Sequence, residues 1–182
     1  MKNQNLYLKK IILTAVLAAI AVACSPLSVP VGASKCFPVQ HLVNILTAVF
    51  LGPGYAVAEA FTASLCRNLM GTGTLLAFPG SMIGAFLSGI LYKLLKKLPF
   101  AYLGELVGTG LLGGMAAFLV ASLVMGKEAA LFTYVPAFFI SSAGGTLLAV
   151  LLVPALKKAG VERFFGQDVR EKEQKEHARS AE

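Results

Sequence analysis

Gln40, His41 and Asn44 fall at i, i+1 and i+4, so on a helix Gln40 and Asn44 share one face with His41 beside it. Lys35 and Phe37 stand just before them, and a second polar segment follows at Arg67, Asn68, Thr72, Phe78 and Ser81. Amides, an imidazole, hydroxyls and a guanidinium can hydrogen-bond a small polar molecule, and phenylalanine rings can cover its apolar part. Covalent chemistry would need Ser81 or Cys36 as nucleophile with His41 as base. Neither sits in a recognised nucleophile motif, no paired membrane carboxylates accompany them, and HExxH is absent. The cysteines, Cys24, Cys36 and Cys66, are odd in number and lack CxxC spacing, which implies neither a disulfide framework nor a zinc site. They read as packing residues. These residues point to binding without conversion: a non-enzyme with no metal and no cofactor of its own.

Each candidate also has a plainer role. His41 fits a satisfied core histidine as well as a ligand contact, and Arg67 near a membrane boundary can snorkel to phosphates. Glu59 reads as a partner for a lysine or for a docking protein, outside the pocket. Glu105 reads as structural or interfacial.

The elements that carry these groups are apolar. Of 182 residues, 57% are hydrophobic and only 14% charged, with mean hydropathy +0.74. Soluble domains carry about 25% charged residues, so the composition is that of a membrane protein. Residues 11–34, 68–92, 106–126 and 129–156 contain no Asp, Glu, Lys or Arg, and 36–66 contain only Glu59. Each uncharged run reaches the roughly 20 residues that span a bilayer. Ten-residue alternation does not recur, which excludes a β-barrel reading. The net charge of +7 sits mainly in Lys2/Lys9/Lys10, Lys93/Lys96/Lys97 and Lys157/Lys158/Arg163, beside apolar runs, and so marks cytoplasmic ends, not nucleic-acid binding.

The pattern predicts helices at 9–27, 38–51, 55–70, 77–95, 102–125 and 130–156, with a Pro/Gly/Ser loop over 28–37. Leu51-Gly-Pro-Gly54 breaks the second helix from the third, and both are short for a span. The fifth helix carries two GxxxG spacings, Gly104/Gly108 and Gly110/Gly114. In the first, Ala15, Ala19 and Ala23 form a narrow strip of small side chains. Ala21-Val22-Ala23-Cys24 resembles a lipoprotein cleavage box, but leucine is more typical where Ala21 stands and the apolar run continues through Pro26, Leu27 and Val31. A retained first helix is the better reading.

The expectation is an all-α membrane protein: a six-transmembrane-helix bundle over 1–158 with both termini cytoplasmic, then a charged cytoplasmic tail over 159–182. Cytoplasmic segments then hold nearly all lysines, and the opposite loops hold little beyond Lys35, Arg67 and Lys127. This topology brings 28–44 and 67–81 to one outward-facing mouth, with Phe37, Phe78 and Tyr134 as walls and Gln40, His41, Asn44, Arg67, Asn68, Thr72 and Ser81 as polar contacts.

At Gly32-Ala-Ser-Lys-Cys-Phe-Pro-Val-Gln-His-Leu-Val-Asn44, Leu51-Gly-Pro, Arg67-Asn-Leu-Met-Gly-Thr-Gly-Thr74, Ala77-Phe-Pro-Gly-Ser-Met-Ile-Gly-Ala85 and Gly104-Glu-Leu-Val-Gly-Thr-Gly110, the chain resembles the ThiW family. The resemblance covers about 10–155. It implies the substrate-binding S-component of a bacterial energy-coupling factor (ECF) vitamin transporter, multi-pass in the cell membrane, that takes up hydroxyethylthiazole, the thiazole precursor of thiamine. It further implies a transmembrane coupling protein and two ATPase subunits as partners, with docking through small residues on the first helix, here Ala15, Ala19 and Ala23. The implied mechanism is capture followed by reorientation of the whole bundle. No GxxxxGK[ST] occurs in the chain, so ATP hydrolysis falls to the partners. A standalone secondary carrier is the alternative, although internal repeats of the kind many carriers show are not apparent.

Overall fold

The computed structural model describes residues 2–32 and 34–163, so the charged tail from residue 164 on lies outside the described residues. Among the described residues, six helices form the body: α1 (Lys2–Ala23), α2 (Pro38–Phe50), α3 (Pro53–Leu69), α4 (Ala77–Leu95), α5 (Leu98–Val124) and α6 (Val135–Lys158). Four of them, α1, α4, α5 and α6, are long and apolar enough to cross a membrane. The fold is helical and membrane-like. With 13 and 17 residues, α2 and α3 reach about 20 and 25 Å, short of a hydrocarbon core of about 30 Å.

Prolines explain where several helices start. Pro53, Pro99 and Pro136 each occupy a first turn, where a missing N–H costs nothing. Hence α3 and α5 begin before the expected residues 55 and 102, and α6 begins after 130, behind a turn that the Thr133 hydroxyl holds by accepting the Ala130 N–H at 2.9 Å. α1 stops at Ala23 instead of 27 because Ser25–Leu27 tightens into a 3₁₀ turn. The expected loop at 28–37 contains a small antiparallel hairpin, β1 (Val29–Val31) and β2 (Ser34–Cys36), with Val29 opposite Cys36 and Gly32 at φ +54° in its turn. The chain just past α6 folds back, with Glu162 pairing Lys157 at 2.8 Å and the Lys157 ammonium also bonding the Tyr92 hydroxyl.

α2 is the central helix. Ten of its residues, from Gln40 to Phe50, are buried, and it packs against all five other helices. Both its apolar residues and its polar face of Gln40, His41 and Asn44 are thus enclosed by other helices. Ile45, Val49 and Phe50 meet Tyr92, Ala101, Ala149 and Val153 at the end away from the hairpin. The two GxxxG pairs of α5 serve different neighbours. A Cβ on Gly104 or Gly108 would lie 2.6–2.7 Å from the α4 backbone at Ser88 or Gly84. On Gly110 or Gly114 it would meet Phe139 or Val135 of α6.

α1 buries Lys10, Thr14, Ala18 and Ala21, and packs on α2 and α3. Ala15, Ala19 and Ala23 lie on its exposed side.

Candidate functional site

The chain reaches the site directly from β2. Cys36 Sγ donates to the Ala137 carbonyl at 3.1 Å, and the Phe37 N–H donates to Ser141 Oγ at 2.7 Å, which ties the hairpin to α6. α2 then begins at Pro38, presenting Gln40 and His41 within its first turn. Gly145 of α6 lets the two backbones close here, since a Cβ on it would lie 2.5 Å from His41 Cβ.

Beside this turn lies a cleft of about 380 Å³, mouth included, framed by the hairpin and the adjoining ends of α2, α3, α4 and α6. Its polar groups come from Lys35, Gln40, His41, Arg67, Ser81 and Ser141, and its rings from Phe37 and Phe138. Arg67, from the last turn of α3, is only 1% exposed, and its guanidinium stacks over the Phe37 ring at 4.4 Å from the centroid. Its Nε and Nη1 have no hydrogen-bond partner among the described residues, and neither has Gln40 Oε1.

A buried network lies beneath the cleft. His41 Nδ1 is 2.8 Å from Glu105 Oε1, and the same oxygen accepts from Asn44 Nδ2 at 2.9 Å and from the Thr109 hydroxyl at 3.0 Å. Asn44 Nδ2 also donates to the Ser81 carbonyl at 3.2 Å. Gln40 Nε2 donates to Asn44 Oδ1 at 3.0 Å and points to Glu59 Oε1 at 3.5 Å. Glu59 is fully buried and close enough to Arg67 and Glu105 to interact with both electrostatically.

Of the residues expected at the site, Phe37, Gln40, His41, Arg67 and Ser81 line the cleft. Asn44 does not, because it sits one helical turn deeper, in the network. Asn68 and Thr72 serve the 70–76 connection instead: Asn68 donates to the Ser64 and Thr74 carbonyls at 2.8 and 3.1 Å, and the Thr72 hydroxyl donates to the Arg67 carbonyl at 3.3 Å. Phe78 turns outward onto Phe61, with ring centroids 5.6 Å apart. Tyr134 packs with Leu76, Ala117, Ala121 and Phe138 away from the lining, and Phe138, one turn further along α6, supplies the wall expected of it.

Of the two carboxylates, Glu59 departs from expectation, while Glu105 has a structural place. Glu59 neighbours Gln40 and Arg67 rather than a lysine, and Glu105 lies at the heart of the network. Paired membrane carboxylates are therefore present, on α3 and α5. Ser141 and Phe138 were missed, although their spacing of three residues places them on one helix face at the mouth end of α6. The nucleophile pairings do not form: Ser81 Oγ donates to the Ala77 carbonyl at 2.8 Å and meets Ser64 Oγ at 3.1 Å, and Cys36 is bonded to Ala137.

A family model described as thiamine-precursor transporter protein (ThiW) matches residues 11–159. No curated protein and no solved structure matches the chain. The family match takes in α1 from residue 11 on, the other five helices, the hairpin and the whole lining of the cleft, and the chain belongs to the ThiW family of thiamine-precursor transporter proteins.

Proposed function

We propose that this chain is the S-component of an ECF-type importer, and that it captures hydroxyethylthiazole from outside the cell without converting it. The observation that carries the reading is a cleft lined by Phe37 and Phe138 whose lining residues Arg67 and Gln40 carry buried atoms, Nε, Nη1 and Oε1, without a partner among the described residues. A buried donor or acceptor left unmade costs about 1–3 kcal/mol, so such groups favour a ligand that completes them. Hydroxyethylthiazole is a flat ring with a ring nitrogen and one hydroxyl. The nitrogen and the hydroxyl oxygen can accept from Arg67, the hydroxyl proton can go to Gln40, and the rings of Phe37 and Phe138 can cover the heterocycle.

In this reading the bundle crosses the membrane six times with both termini cytoplasmic, and the cleft opens outward. The exposed Ala15/Ala19/Ala23 side of α1 docks a coupling protein that works with two ATPases. Small side chains there allow close helix approach.

Thermal unfolding of the purified protein with the thiazole alcohol, thiamine or the pyrimidine precursor tests the substrate. The thiazole should stabilise it most, and stabilisation by thiamine alone would reject the assignment. Co-purification tests the subunit role: Ala19→Trp should lose the coupling protein and ATPases while keeping thiazole binding. Thiazole uptake into liposomes by this chain alone, without ATP, would instead establish a standalone carrier.

A further inference from the structure

Glu105 Oε1 accepts from the Asn44 amide and the Thr109 hydroxyl and lies 2.8 Å from His41 Nδ1, so two of its three contacts belong to α2. A carboxylate oxygen that accepts dictates which way its partners face. Asn44 must turn its amide nitrogen to Glu105, where it also reaches the Ser81 carbonyl, and its Oδ1 is left for Gln40. Gln40 must then turn its own nitrogen inward to Asn44 Oδ1, with Glu59 Oε1 on the same side. Gln40 Oε1 is what remains, unpartnered, on a residue that lines the cleft. His41 obeys the same logic. Its Nδ1 faces the Glu105 oxygen, so a neutral imidazole that donates there keeps Nε2 bare, on a side chain that also lines the cleft.

We infer that Glu105 is a positioning residue that makes the α2 wall of the cleft an acceptor pair, Gln40 Oε1 and His41 Nε2. Arg67, which also lines the cleft, can only donate. The site therefore has a polarity, and the molecules it takes belong to one class: small aromatic compounds with a hydrogen-bond donor for α2 and acceptors for Arg67. A ligand without the donor leaves the buried Gln40 Oε1 unmet. This rests on the cleft being the substrate site, as proposed above.

The chain has two histidines, so H177Q leaves His41 as the only imidazole in the full-length protein. Its ¹⁵N NMR spectrum at neutral pH should show Nδ1 protonated and Nε2 bare. Either the opposite tautomer or an imidazolium with both nitrogens protonated would overturn the inference. Calorimetry should find the thiazole alcohol bound about tenfold or more tighter than its O-methyl ether, which lacks the donor. Equal affinity for the two would also overturn it. In E105A, which removes the acceptor, His41 should revert to the Nε2–H tautomer that free imidazole side chains favour, and the preference for the alcohol should collapse. Should E105A fail to fold, the tautomer in H177Q decides. If neither compound binds while the Nδ1–H tautomer is present, the thiazole assignment fails and the polarity of the wall stands.

Discussion

The Arg67 guanidinium carbon lies over the Phe37 ring, 4.4 Å from its centroid, which holds the cation at the cleft. The ring also shields the charge from water, which strengthens any hydrogen bond that the guanidinium makes.

Arg67→Lys keeps the charge but removes the planar fork and the stacking surface. Thiazole affinity should fall about tenfold while the melting temperature changes little. Arg67→Ala should lower both, because the buried Glu59 loses its neighbouring cation. Calorimetry and thermal unfolding of the two variants separate these effects. An R67K protein with wild-type affinity would remove Arg67 from the site.

Gly80 lies directly behind Phe138: a Cβ there would come within 2.2 Å of Phe138 Cε1. Gly80→Ala should push the ring out of position and weaken ligand binding about as much as Phe138→Ala does, by roughly 1–3 kcal/mol. The check is a direct comparison of the two dissociation constants, and full affinity in G80A would mean that Phe138 does not touch the ligand.

A Cβ on Gly108 would meet backbone, not a movable side chain, at 2.7 Å from Gly84 Cα. Gly108→Ala should therefore separate α4 from α5 and cost about 1–3 kcal/mol. Unfolding in detergent would register this as a lower midpoint. Gly54→Ala, at a position with open space, is the control and should leave the midpoint unchanged.

Burial pushes the Cys36 thiol above its usual range, partly offset by its hydrogen bonding beside Ser141. A raised value means less thiolate at neutral pH, so alkylation should be slow there and should accelerate as the pH rises through the folded value. In a C24S/C66S protein, maleimide labelling of Cys36 at neutral pH should run at least about tenfold slower than in denaturant. Equal rates would show that the hairpin does not cover the thiol.

The meeting of the 28–44 and 67–81 segments was legible in the sequence because alternating apolar runs place both at one end of the bundle. The depth of Asn44 was not. A spacing of four residues tells which face a side chain shares with Gln40, but not that the helix runs inward and carries it a turn below the cleft. Glu59 and Glu105 were conspicuous as lone carboxylates in apolar helices. Thr109, four residues on from Glu105, was legible as a partner, but His41, Asn44 and Gln40 come from α2, and the spacing within α3 or α5 holds no trace of those contacts. Phe78 looked like a wall of the mouth, and only its packing against Phe61 turns it away.

The Glu105 network joins α2, α4 and α5 through bonds among His41, Asn44, Ser81 and Thr109, while Cys36 and Phe37 fasten the hairpin to α6. Sliding one of these helices by a single turn, about 5.4 Å, would strand buried polar atoms with no water to replace their partners. The register is therefore pinned like a dowelled joint. Whatever motion carries the ligand across the bilayer has to come from surfaces outside this joint: the turns, the hairpin edge and the exposed side of α1.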